Sequence, residues 1–132
     1  MRAVDTNVLV RLIAQDDPRQ AASAEAFIES GAWVSVLAVA EMVWVLATVY
    51  DRDAAALATA VELLLNHRAL VLQDADVVAA ALELFRSRPA LGFSDCLMLQ
   101  LARKAGHLPL GTFDHRLAKV PGTQKVGPAV PP

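Results

Sequence analysis

Among 132 residues there is one cysteine, Cys96, so no internal disulfide can form and a reducing cytoplasm is the expected setting. Cys96 reads as a small buried hydrophobe at the start of a helix, not as a redox switch. Histidine is scarce as well. His67, His107 and His115 are scattered, without the His/Cys spacing of a zinc site, and surface or capping roles are their default. Arg2 is not followed by an apolar run with a small-residue cleavage site, so no secretory leader is expected. Internal repeats and linker-like stretches are also missing. A single domain over residues 1–127 with a loose tail at 128–132 is predicted.

What is abundant is apolar. The hydrophobic fraction is 55 % and the mean hydropathy +0.40, which excludes a disordered chain and leaves enough material for a sizeable core. The most apolar stretch, GAWVSVLAVAEMVWVLATVY at residues 31–50, holds one charge and is long enough to span a bilayer. A central acid argues against that, since Asp costs roughly 2.5–3.5 kcal/mol at the centre of an inserted helix. No Lys or Arg flanks the segment closely. It reads instead as a buried strand followed by a buried helix, with Trp44 and Leu46 in the core and no role for a membrane.

Charge is balanced in total but not along the chain. Residues 1–102 carry 7 Lys+Arg and 13 Asp+Glu, a net of −6, whereas residues 103–132 carry 5 basic residues against Asp114 alone, a net of +4. A solvated surface explains this, and so does a basic end suited to a polyanion.

Short apolar runs alternate with amphipathic ones. Strands are predicted at residues 2–4, 32–36, 70–72 and 108–112, with a weak last strand at 124–126. Helices are predicted from Asn7 to about residue 14, from the Asp17-Pro18 start to about residue 30 before Gly31, and from Ser35 or Val36 to about residue 50. Three more follow: one at 54–67 behind Asp53, one opened by Asp74 or Asp76 and running to about residue 87, and one at 95–105 capped by Ser94 and closed by Gly106. A short helical turn is predicted near residues 115–118. This alternation predicts an α/β fold with a parallel sheet covered by helices, in which ligands bind beyond the carboxyl ends of the strands.

Four acids sit where the hydrophobic pattern does not want them. Asp5 follows the first strand and Asp114 the strand at 108–112. Asp95 lies in the first turn of a helix, where the helix dipole alone would favour it. Glu41 lies inside an apolar helix, where it loses hydration unless it has a partner or faces a polar cleft. Each acid alone has an ordinary structural explanation. Should the four converge, their repulsion calls for a cation, and an all-carboxylate set suits Mg²⁺ or Mn²⁺. Such a site suits phosphodiester chemistry.

The stretches VDTNVLVRLI (4–13), SVLAVAEMVWVL (35–46), GFSDCLMLQLARKAG (92–106) and LGTFDHRLAK (110–119) resemble the PIN-domain nucleases, more closely the VapC toxins of toxin–antitoxin pairs. The resemblance implies a PIN-like α/β/α sandwich with a central, mostly parallel sheet. It implies Asp5, Glu41, Asp95 and Asp114 as catalytic and metal-holding acids, with Thr6, Asn7, Ser94 and Thr112 as supporting polar residues. It further implies Mg²⁺- or Mn²⁺-dependent cleavage of RNA leaving a 5′-phosphate, a VapB-like antitoxin that blocks the site, and a homodimer. Arg103, Lys104, Arg116 and Lys119 are candidates for RNA contacts. An acid that some relatives carry shortly after the position of Asp114 is absent here, which implies one well-held ion, a second joining only with RNA.

Two other classes remain open at this point. One is a non-catalytic PIN-fold module that binds RNA or a partner. The other is a phosphatase-like enzyme with Asp5 as nucleophile, which usually needs a second Asp where Asn7 stands.

Overall fold

Residues 1–128 are described in the computed structural model of this chain; the predicted tail lies outside the described residues apart from Pro128. The order is β1 (Arg2–Val4), α1 (Thr6–Ala14), α2 (Pro18–Ile28), β2 (Ala32–Val34), α3 (Val36–Thr48), α4 (Ala54–Asn66) and β3 (Leu70–Leu72). It continues with α5 (Ala75–Ser87), α6 (Phe93–Ala105), β4 (Leu110–Thr112), a 3₁₀ turn (Leu117–Lys119) and β5 (Thr123–Lys125).

All the strand pairings among the described residues are parallel. β2 lies between β1 and β3, with Val4 opposite Val34 and Val34 opposite Leu72. β4 and β5 form a second ladder that pairs Leu110 with Thr123 and Thr112 with Lys125. The predicted parallel sheet is therefore present, hydrogen-bonded as a group of three strands and a group of two. Parallel strands need crossovers and cover on their faces, and the six helices supply both. Ala32 and Val34 of the middle strand are fully buried, together with Leu9 of α1, Val39, Met42 and Leu46 of α3, Val78 of α5 and Leu99 of α6.

Local chemistry sets most element ends. Asp17 accepts from Gln20 N at 3.1 Å, and Pro18 occupies the first turn of α2. Asp53 caps α4 through Ala56 N at 2.9 Å. Gly106 takes φ 82° behind α6 and donates to Ala102 and Arg103 carbonyls, a conformation that a Cβ would disfavour. Gly31, at φ 101°, turns the chain after α2 ends at Ile28.

Several expectations need correction. Trp44 is not in the core: it is 64 % exposed, whereas Leu46 is 0 % exposed. On a helix of 3.6 residues per turn, Ala38, Val39, Met42, Val43 and Leu46 share the inward stripe, and positions 37, 41, 44 and 48 fall opposite. Glu41 is exposed for the same reason, so it has not lost its hydration. Ser94 does not cap α6. Gly92 holds the N-cap position, because the helix begins at Phe93 to bury that ring, and Ser94 is exposed in the first turn. The strand predicted at 108–112 begins at Leu110, since Pro109 has no N–H for a ladder.

Arg11 locks the helix that follows β1. It donates to Gln20 Oε1 at 2.5 Å, Asp16 Oδ1 at 3.2 Å and the Tyr50 hydroxyl at 3.0 Å, and Tyr50 donates to Asp16 Oδ2 at 2.9 Å. α1 is thereby tied to α2 and to the end of α3. No helix among the described residues is long and apolar enough to cross a membrane.

The two faces of α3 predict opposite outcomes. Leu46→Ala should lower unfolding stability by about 2–5 kcal/mol, the usual cost of a large-to-small change in a packed core. Trp44→Ala should change it by no more than about 0.5 kcal/mol. Urea titrations of the two variants would show which side chain the core uses.

Candidate functional site

β1 passes into α1 through one residue. Asp5 adopts an extended N-cap conformation, and its Oδ1 accepts the Val8 N–H at 3.2 Å. That bond fixes one carboxylate oxygen; among the described residues Oδ2 makes no hydrogen bond. The next residue, Thr6, donates from Oγ1 to Glu41 Oε2 at 2.7 Å. This contact joins the start of α1 to the exposed side of α3, 35 residues away; among the described residues Oε1 of Glu41 makes no hydrogen bond. Asn7 is exposed and lines an open groove of about 290 Å³ between α1 and α2.

Asp95 and Asp114 form a second neighbourhood. Asp95 is partly buried in the first turn of α6, and burial, then the charge of Asp114, push its carboxyl above the usual range. Asp114 follows β4, with Oδ1 accepting Arg116 N at 2.7 Å and Leu117 N at 3.0 Å. Those backbone donors, Leu117 first, hold its carboxyl below the usual range, with a smaller contribution from the Arg116 charge. The repulsion is thus felt at Asp95, while at Asp114 the N–H donors dominate. Thr112 Oγ1 accepts the Asp114 N–H at 3.0 Å, which orients the turn that carries the acid.

Among the described residues, no ion pair joins any of the four acids to a basic side chain; the ion pairs are Arg11–Asp16, Arg86–Glu62 and Lys104 with Asp74 and Asp76. Nor do three acid, His or Cys side chains stand close enough together to hold a metal ion as placed. The donor chemistry still fits a hard divalent cation. It consists of oxygens only, several held on one side and open on the other, with surplus negative charge at the Asp95–Asp114 pair.

The basic residues divide. Lys104 donates to Asp74 at 2.9 Å and Asp76 at 3.0 Å, and Arg103 donates to the Pro121 carbonyl at 3.2 Å. Both serve the fold at the far end of α6, about 12 Å along the axis from Asp95 at 1.5 Å per residue. Arg116 and Lys119 are exposed just after Asp114. One basic residue close to the site escapes a linear search: Lys125 lies with Nζ 2.7 Å from His115 Nδ1 and 2.9 Å from Nε2. Only the parallel register, which sets Lys125 opposite Thr112, brings it there. Cys96, next to Asp95, is buried as predicted, and burial, then the Asp95 charge, push its thiol up to about 11.

The raised Asp95 carboxyl has a consequence for stability. Its native pKa lies above the unfolded value, so in its ionised form the group opposes folding, and that penalty fades as pH falls below the folded pKa. Asp95→Asn should therefore raise the melting temperature at pH 7 in EDTA, and the gain over wild type should shrink towards pH 4. Calorimetric scans at the two pH values test both parts.

No curated protein and no solved structure is matched by this chain. The sequence profile of the PIN domain matches residues 2–123, which takes in both strand ends and both helices that carry the four acids. The chain belongs to the PIN domain family, whose members are typically metal-dependent nucleases that bind Mg²⁺ or Mn²⁺.

Proposed function

We propose that this chain is a Mg²⁺- or Mn²⁺-dependent endoribonuclease and the toxin of a VapC-type toxin–antitoxin pair, acting in the cytoplasm. The observation that carries the proposal is a set of carboxylates with no basic partner among the described residues, two of them repelling each other, at strand ends and on helix faces of a PIN fold. Charge left unneutralised in this way suits a cation better than it suits packing.

Asp5, Glu41, Asp95 and Asp114 would hold the ion. When bound, the ion supplies Lewis-acid chemistry, neutralising phosphate oxygens and acidifying water for attack on a phosphodiester. The chain's own part is orientation. The Val8 N–H fixes Asp5, Thr6 fixes Glu41, and Thr112 with two backbone N–H groups fixes Asp114. Asn7 and Ser94 are exposed beside the first and third acids and offer polar contacts to phosphate or water. Arg116 and Lys119 are placed to meet the RNA backbone. A VapB-like antitoxin would inhibit by directing a basic side chain at the unpaired acids. The apolar Leu37 and Trp44 on the exposed side of α3 suit a homodimer.

One observation favours a second function, a non-catalytic RNA- or partner-binding module: among the described residues no three acids stand close enough together to hold a metal ion. Incubating purified chain with defined RNAs in Mg²⁺ and in EDTA separates the two. The nuclease cuts only with the metal and leaves 5′-phosphates; no cutting under either condition sinks it. Asp5→Asn should abolish cleavage with the fold retained by circular dichroism, and full activity in that variant would remove Asp5 from the site. Thr6→Val should cost about 10–100-fold in activity, as losses of residues that orient metal ligands do, with a stronger requirement for Mg²⁺.

A further inference from the structure

Both strands of the β4–β5 ladder run in the same direction, so both hand their next residues to one edge. Thr112 pairs with Lys125, and the Val126 N–H donates to the Thr112 carbonyl at 2.8 Å. The residue that leaves β4 at this edge is Phe113. Its side chain is 76 % exposed, more than any other aromatic residue among those described. Phe113 immediately precedes Asp114, whose Oδ1 is engaged by the N–H groups of Arg116 and Leu117. Lys125 stands against the His115 ring, and Arg116 is exposed. An exposed aromatic ring therefore sits next in sequence to one of the acids of the proposed site, on the sheet edge that also carries Lys125 and, three residues on, the exposed Arg116.

We propose that Phe113 is a stacking platform for one nucleobase of single-stranded RNA, with Lys125 and Arg116 meeting the flanking phosphates, so that the strand is laid across Asp114. This deepens the nuclease proposal and rests on it for the identity of the polymer. Every base has a π-face, so a ring beside cations binds single strands with little regard to sequence. Bases within a duplex are already stacked and cannot use the ring. The charge distribution agrees: residues 113–132 carry Arg116, Lys119 and Lys125 against Asp114 alone. A protein partner suits the surroundings less well, because the cores of protein interfaces are depleted of charge, and this edge carries Asp114, Arg116 and Lys125.

The test is fluorescence anisotropy of a labelled single-stranded RNA of mixed sequence, about 12 nucleotides long to fill one single-strand site, with EDTA present to prevent cutting. Phe113→Ala should weaken binding by roughly 5-fold or more, the contribution of one base stacked on an aromatic ring. Phe113→Trp should restore it, and neither should change the melting temperature. The salt slope should be unchanged in Phe113→Ala and should fall by about 1 in Lys125→Ala. Annealing the RNA to its complement should abolish the dependence on Phe113. Equal affinity of Phe113→Ala and wild type overturns the platform, as does a Phe113→Trp variant as weak as Phe113→Ala. So does a change of oligomeric state in sedimentation with RNA affinity intact, which would assign the ring to a protein contact. Binding that depends on Phe113 without any cutting in Mg²⁺ would leave the platform standing and remove the nuclease. Cutting with a KM indifferent to Phe113→Ala would do the reverse.

Discussion

Links of a single residue between strand and helix govern this molecule. Asp5 alone joins β1 to α1, and Ser35 alone joins β2 to α3. Each linking residue caps the helix it opens: Asp5 through Val8 N at 3.2 Å and Ser35 through Ala38 N at 3.0 Å. A link this short has no slack. The strand sets the direction of the helix, and the helix must fold back to cover Val4, Val34 and Leu72. Gln73 reinforces the edge from β3, donating its N–H to the Val34 carbonyl at 2.8 Å and accepting the Val36 N–H at 2.9 Å. Polar groups are thus gathered at the carboxyl edge because the covering of a parallel sheet requires them there.

The same requirement couples folding chemistry to the proposed reaction chemistry. A cap needs one oxygen and a carboxylate has two. Asp5 gives Oδ1 to a helix, Asp114 gives Oδ1 to a turn, and Glu41 accepts Thr6 on Oε2. Each bond lowers the freedom of the acid without neutralising it. Asp95 is the exception. Its carboxylate takes part in none of the described hydrogen bonds, is partly buried, and is pushed towards its neutral form. The acid least supported by the fold is therefore the one with most to gain from a cation.

How much was legible follows the range of the chemistry. The ends of α2, α4 and α6 are set by residues inside or next to the helix, so Asp17-Pro18, Asp53 and Gly106 can be read directly. Cys96 in a mostly apolar run could be placed inside. Residues 35–50 were harder, because a segment that is apolar almost throughout carries little information about which side faces in, and Trp44 was misplaced for that reason. Ser94 was misjudged because a hydroxyl signals a cap locally, whereas the burial of Phe93 is a tertiary demand. The ion pair of Lys104 with Asp74, 30 residues earlier in sequence, depends on how α6 packs beside the start of α5 and has no local signal.

By itself the sequence determined the alternation of strand and helix, the caps of α2 and α4 and the glycine end of α6, and which four acids interrupt apolar surroundings. All of these depend on residues within a few positions of one another. Only the tertiary structure decided that Glu41 meets Thr6, that burial and then the charge of Asp114 raise the Asp95 carboxyl, that Trp44 faces water, and that Lys125 and Phe113 share an edge. Those facts depend on helix rotation and strand register, and the packing of the whole core settles both.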